Sequence, residues 1–131
     1  YGHHPTEIAA TLKALKARSA GRRLVTLFQP HRITRTRSLW DDFTMAFSLT
    51  DELWLANIYA AGEAAETGIT AERLVEAIAA KGQSVRYAGS LDEARARVLP
   101  ELRENDVFLT LGAGNVVDVG ESLLSQGSPR S

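Results

Sequence analysis

The sequence predicts an α/β domain built on a mostly parallel sheet. Two observations carry this. Short apolar runs at 22–28, 52–58 and 106–111 alternate with segments whose apolar residues recur at helical spacing, and such alternation makes βαβ units with right-handed crossovers. The first run, Leu24-Val25-Thr26-Leu27-Phe28, is nearly continuous in apolar character rather than alternating, as expected for a strand in a sheet covered on both faces.

The chain opens with Tyr1-Gly2-His3-His4-Pro5-Thr6-Glu7. Pro5 suits a first helical position and Glu7 the third, which puts His4 near the cap. Ile8, Thr11, Leu12 and Leu15 form one helical face, and Ser19-Ala20-Gly21 ends it. The first strand follows at 22–28. Leu39, Phe43 and Phe47 then share a helical stripe with Trp40 and Ala46, and Ser38 with Asp41 reads as the pair that caps this helix. A second strand at 52–58 leads through a longer loop to Thr70, a good N-cap for a helix through Lys81 that Gly82 stops. A short strand at 84–87, a helix at 91–102 and a strand at 106–111 come next. The last strand runs into Gly112-Ala113-Gly114-Asn115 and a final helix to Leu124, and the tail at 126–131 has no apolar anchors.

A length of 131 residues fits one domain with its own core. The chain has no cysteine, which excludes disulfides and thiolate chemistry and suits a reducing cytoplasm. No apolar run approaches the ~18 residues of a membrane span, and no signal peptide is evident. The net charge of -1 conceals an asymmetry: residues 1–40 carry +7 and residues 41–131 carry -8. Such a split focuses a local field while the whole stays nearly neutral.

Much of that positive charge sits in Phe28-Gln29-Pro30-His31-Arg32-Ile33-Thr34-Arg35-Thr36-Arg37, directly after the first strand. Arg32 and Arg35 are three apart, so a helix starting near Thr34 lets both point the same way. Two guanidinium forks can grip a carboxylate or phosphate through paired, charge-assisted hydrogen bonds. The plainer reading is that these arginines pair with the acidic half of the chain, a kind of contact that contributes little. Lys13, Lys16 and Arg18 read as a solvated helix face. In parallel α/β sheets ligands bind beyond the carboxyl ends of the strands. The segments 29–37, 59–63 and 112–115 all follow such ends and should converge there.

Other candidate chemistry is weaker. His3 and His4 are adjacent and point apart in most conformations, so they make no metal site by themselves. Gly112-Ala113-Gly114 is either an amide cradle for an anion or a tight turn; Val117 stands where a dinucleotide fingerprint needs Gly or Ala. The sequence contains no phosphate-binding loop ending in Gly-Lys-Ser/Thr. A nucleic-acid module is the competing class, but no stacking aromatics are interleaved with the basic residues.

At Tyr1-Gly2-His3-His4-Pro5-Thr6-Glu7, at Phe28-Gln29-Pro30-His31-Arg32 with Thr34-Arg35-Thr36, and at Tyr59-Ala60-Ala61-Gly62-Glu63, the chain resembles the carboxyl-terminal domain of the Mur ligase family. Gly112-Ala113-Gly114-Asn115 fits in place, and the resemblance runs to about Leu124. It implies a Rossmann-like three-layer domain over residues 1–125, with 126–131 a flexible tail, in a three-domain cytoplasmic enzyme. The other two domains of the family bind the UDP-sugar and carry the ATP loop.

Gln29-Pro30-His31-Arg32 favours the branch of the family that adds L-alanine to UDP-N-acetylmuramate, an early step of peptidoglycan synthesis. The relative that recycles the cell-wall tripeptide is the alternative, and a stand-alone anion- or nucleic-acid-binding module is another. The resemblance implies ATP and magnesium as cofactors, held mainly by the central domain, and an acyl phosphate that the amine of L-alanine attacks. It assigns Arg32 and Arg35 to the L-alanine carboxylate with His31 beside them, and Tyr59, Gly112 and Asn115 to the pocket wall. Tyr1, His3 and His4 match the segment that lies against ATP. It assigns no catalytic or metal-binding residue to this domain, no nucleic-acid or membrane partner, and no activity to the domain alone. Ile33 departs from the Tyr common in the family, which touches packing more than charge.

Overall fold

The computed structural model describes residues 4–112. Tyr1, His3 and Asn115, the helix expected to end at Leu124 and the 126–131 tail lie outside the described residues.

Helix α1 (Pro5–Arg18) begins where the proline places it. His4 is the N-cap, and its Nδ1 accepts the Thr6 N–H at 3.1 Å. Strand β1 (Leu24–Phe28) follows, then α2 (Ile33–Ser38), α3 (Trp40–Ala46), β2 (Glu52–Ala56), α4 (Ala71–Ala79), β3 (Val85–Gly89), α5 (Leu91–Val98) and β4 (Val107–Leu111). The four strands form one parallel sheet in the order β3-β2-β1-β4. The chain builds outward from β1 to β3 and then jumps back to add β4 on the far side of β1. The carboxyl end of β1, with Phe28 beside Leu111 of β4, is therefore the switch point where such sheets open a crevice.

Every residue of β1 is buried, because the sheet is covered on both faces as its apolar run requires. Leu24 and Phe28 point to one side, where Leu53 and Leu55 meet Ile8, Leu12, Phe43, Phe47, Leu74 and Ile78 from the helical segments. Val25 and Leu27 point to the other, against Trp54, Ala56, Ala88 and the Ala94 and Val98 of α5. Thr26 is the one polar residue of the strand, and its buried hydroxyl lies 2.8 Å from that of Thr50. That pairing removes the cost of burying either hydroxyl alone.

The helix expected from Leu39 is different. The structure has two short helices, α2 and α3, joined at Leu39. Ser38 is the last residue of α2 and caps nothing, so the Ser38–Asp41 capping pair is not formed. Asp41 and Asp42 sit instead in the first turn of α3, where negative charge suits the helix dipole. The segment enters helix at Ile33 because the donors of its first turn find a partner far away in sequence, described below. The helix expected over 91–102 is also shorter. Its last turn tightens to a 3₁₀ turn at Leu99–Glu101, containing Pro100, whose missing N–H cannot continue the α pattern. Thr70 caps α4 as expected, its hydroxyl accepting the Arg73 N–H at 3.2 Å.

Candidate functional site

Backbone hydrogen bonds stitch the strand-exit loops together. The Gln29 N–H donates to the Leu111 carbonyl at 3.1 Å, and its side-chain Nε2 donates to the Asn57 carbonyl at 3.1 Å. One residue thus ties the exits of β1, β4 and β2. Beyond it, the Tyr59 N–H donates to Pro30 O at 2.9 Å and the Arg32 N–H to Tyr59 O at 2.7 Å. His31 and Tyr59 face each other as an isolated parallel bridge, with their rings stacked at 5.5 Å. The expected convergence of the three segments is met as far as Gly112, the last described residue.

Arg32 is held in a left-handed conformation at φ 72°. For a residue with a Cβ this costs on the order of 1–3 kcal/mol and persists only where the surroundings over-determine it. The Tyr59 hydrogen bond before it and α2 after it do so. α2 then carries Arg35 onto the same side as Arg32. The two arginines line an open depression of about 410 Å³ together with His4, Thr34, Ser38 and Leu39.

The two guanidinium groups differ. That of Arg32 is half-exposed and lies 3.6 Å from a Glu63 carboxylate oxygen, an ion pair too long to be a hydrogen bond. Arg35 has a buried Nε with no hydrogen-bond partner among the described residues. Arg37 follows the plainer reading of the basic stretch, pairing with Glu66 at 2.6 Å. His31 has its pKa lowered by burial first and by the neighbouring Arg32 and Arg35 next, with Glu63 opposing. Its imidazole is therefore neutral at neutral pH, and the positive charge of the site resides on the arginines.

Of the residues expected here, His4, Arg32 and Arg35 come together around the depression. His31 and Tyr59 are not among the residues lining that depression; the Tyr59 carbonyl accepts the Arg32 N–H, and the His31 ring stacks on Tyr59. Gly112, at φ 130°, sits at the end of β4 beside the exit of β1. Sequence reasoning overlooked the part played by Glu63. Its carboxylate accepts both the Thr34 N–H, at 2.9 Å, and the Thr34 hydroxyl, at 2.8 Å. Glu63 lies inside the quoted 59–63 motif, but nothing local shows that its partner stands 29 residues earlier. Among the described residues no three His, Asp or Glu side chains gather as a metal site would need, and no helix is long and apolar enough to cross a membrane.

Fold and site together define a parallel α/β domain with a depression lined by two arginines just beyond the carboxyl end of β1. The chain belongs to the Mur ligase family: the Mur ligase, glutamate ligase domain matches residues 1–114. It is 49% identical over 126 residues to the UDP-N-acetylmuramate–L-alanine ligase of Desulfosudis oleivorans, a match that covers 95% of this chain and 28% of that protein. The chain thus spans little more than a quarter of that relative's length. Among solved structures it is similar to a UDP-N-acetylmuramate-alanine ligase from Thermotoga maritima, with TM-score 0.77 and 24% identity over 96% of this chain and 25% of that one. It is also similar to a murein peptide ligase from Psychrobacter arcticus, with TM-score 0.72 and 21% identity over 95% and 26%. These two likenesses show the fold.

Proposed function

We propose that this chain is the amino-acid-presenting domain, residues 1–125, of an ATP-dependent cytoplasmic ligase that joins L-alanine to UDP-N-acetylmuramate during peptidoglycan precursor synthesis. The observation that carries the reading is the depression where Arg32 and Arg35 meet, with the Arg35 Nε buried and lacking a partner among the described residues. Two fixed guanidinium groups suit a carboxylate, and the 49% identical relative is named for the L-alanine reaction.

In this role Arg32 and Arg35 hold the carboxylate of L-alanine. His31 and Tyr59 keep Arg32 in place, and Gly112 and Asn115 complete the wall of the amino-acid pocket. With one end of the substrate fixed, its amine is the end left to react. When the muramoyl carboxylate is activated as an acyl phosphate, the amine attacks its carbonyl carbon, an amide forms and inorganic phosphate leaves. The domain contributes orientation, which converts an encounter between two molecules into a reaction within one assembly. Tyr1, His3 and His4 face ATP on this reading, and the position of His4 at the rim of the arginine depression supports it. On this reading magnesium is held mainly by the central domain of the enzyme; among the described residues of this chain no three His, Asp or Glu side chains gather.

The test is steady-state kinetics of the full-length protein carrying Arg32→Ala or Arg35→Ala. Each loses a charge-assisted contact worth roughly 1.5–3 kcal/mol, so KM for L-alanine rises about 10- to 150-fold while KM for UDP-N-acetylmuramate holds. A changed KM for the UDP-sugar with an unchanged one for L-alanine overturns the reading.

A further inference from the structure

We infer that Glu63 is a positioning residue for the Arg32–Arg35 pair and that it acts through Thr34. The inference rests on the L-alanine reading above and names what holds that site in shape.

Helix α2 has six residues and an unusual N-cap. Arg32 occupies the cap position and makes no capping hydrogen bond with its side chain. A helix start with no side-chain acceptor leaves its first-turn N–H groups unpaired, which destabilises a short helix most. Glu63 supplies the missing acceptor from another loop. It takes the Thr34 N–H at 2.9 Å with one oxygen and the Thr34 hydroxyl at 2.8 Å with the other. Those two hydrogen bonds, the backbone one first, also hold its pKa below the ordinary carboxylate value, so it stays charged. Thr34 stands between the two arginines. Fixing it fixes where the helix begins, and so the spacing and direction of Arg32 and Arg35.

Glu63 is itself aimed by backbone geometry. Its N–H donates to Ala60 O at 3.1 Å, closing a turn whose central residues, Ala61 at φ 55° and Gly62 at φ 89°, are both left-handed. Positive φ at both positions is the pattern of a type I′ turn, which alanine adopts only at a cost. Non-glycine strain therefore flanks the Glu63–Thr34 contact on each side, at Ala61 and at Arg32. The Tyr59 hydrogen bond and α2 hold Arg32, the Glu63–Ala60 hydrogen bond closes the turn at Ala61, and the Glu63–Thr34 contact joins the two. Meanwhile the 3.6 Å separation between Glu63 and Arg32 leaves that guanidinium loosely paired and half-exposed, ready to exchange its partner for an incoming carboxylate.

The experiment compares Glu63→Ala, Glu63→Gln, Thr34→Val and Arg32→Ala in the full-length protein, with thermal unfolding to confirm that each folds. Glu63→Ala removes both hydrogen bonds to Thr34, so KM for L-alanine rises at least about tenfold while KM for ATP and for the UDP-sugar stays within about twofold. Glu63→Gln restores KM for L-alanine to within about threefold of the unmodified protein, because the amide oxygen can still accept the Thr34 N–H. Thr34→Val, which keeps only the backbone donor, falls between. A Glu63→Ala protein with unchanged KM for L-alanine beside an Arg32→Ala protein with a raised one overturns the role of Glu63 and leaves the alanine reading standing. A Glu63→Gln protein as impaired as Glu63→Ala overturns action through Thr34. An unchanged KM in Arg32→Ala removes the alanine reading and this inference with it.

Discussion

The imidazole of His31 stacks on the ring of Tyr59, with centroids 5.5 Å apart and planes inclined by 25°. The stack keeps the imidazole against the β2 exit loop, close to two guanidinium groups, and this has a measurable consequence. Burial first, then Arg32 and Arg35, hold its pKa below 6.5. A pH titration followed by NMR should place the His31 midpoint under that value, and Arg35→Ala should move it upward by removing a like charge. Since the folded state binds this proton more weakly than the unfolded chain, stability falls as pH drops below the ordinary histidine value and levels off beneath the folded midpoint. His31→Gln should remove that component. A midpoint at or above 6.5 contradicts the account.

At the opposite end of the sheet, Arg23 grips Asp106 with two hydrogen bonds, Nε to Oδ1 at 3.1 Å and Nη2 to Oδ2 at 2.6 Å. The side chain of Asp106 is only 7% exposed, and it also accepts the Arg103 N–H. Burial pushes this carboxyl up, but the Arg23 bond and the Arg103 N–H outweigh it and hold the pKa below 3.8. Asp106→Ala leaves Arg23 without its ion-pair partner, with the Glu101 carbonyl still accepting from Nη2 at 2.8 Å, and should destabilise the domain by about 2–4 kcal/mol in a urea titration. In the unmodified chain the contribution of this carboxylate is complete above its ordinary value and is lost as pH falls through the lowered one. A change under about 0.5 kcal/mol would place the pair among ordinary surface contacts.

Gly89 closes β3 at φ 82°, where the β2–β3 register shifts, and its carbonyl accepts the Asn57 N–H at 2.8 Å. A Cβ there would come within 2.2 Å of Glu93 Oε1. That oxygen belongs to the Ser90–Glu93 capping box that starts α5. Gly89→Ala therefore combines left-handed strain with displacement of a cap, and should cost roughly 2 kcal/mol. Helix α5 should then show faster amide exchange than α4. Equal exchange in both would argue against the link to the cap.

This chain, expressed alone, should release no ADP in response to L-alanine, because its sequence carries no Gly-Lys-Ser/Thr phosphate loop. Coupled measurement of ADP over a range of L-alanine concentrations decides it. Alanine-dependent release from the isolated chain would mean that it holds a nucleotide site of its own.

The local features of the fold were legible because their causes lie within a few residues. The continuous apolar run at Leu24–Phe28 required burial on both faces, and the sheet is covered on both. Pro5 and Thr70 marked helix starts through steric and hydrogen-bonding rules that act over a single turn. Arg32 and Arg35 were recognisable as a pair from their spacing alone, and they do line one depression.

Tertiary structure decided what depends on partners distant in sequence. Ser38 offered a plausible cap, yet α2 begins earlier because Glu63 reaches Thr34 from 29 residues away. The same kind of choice assigns Arg37 to Glu66 while leaving the Nε of Arg35 without a partner among the described residues. Periodicity and capping chemistry are short-range, so the chain itself determines where strands and most helices form. Which carboxylate meets which donor depends on how loops are brought together at the sheet edge, and only the folded arrangement sets that distance.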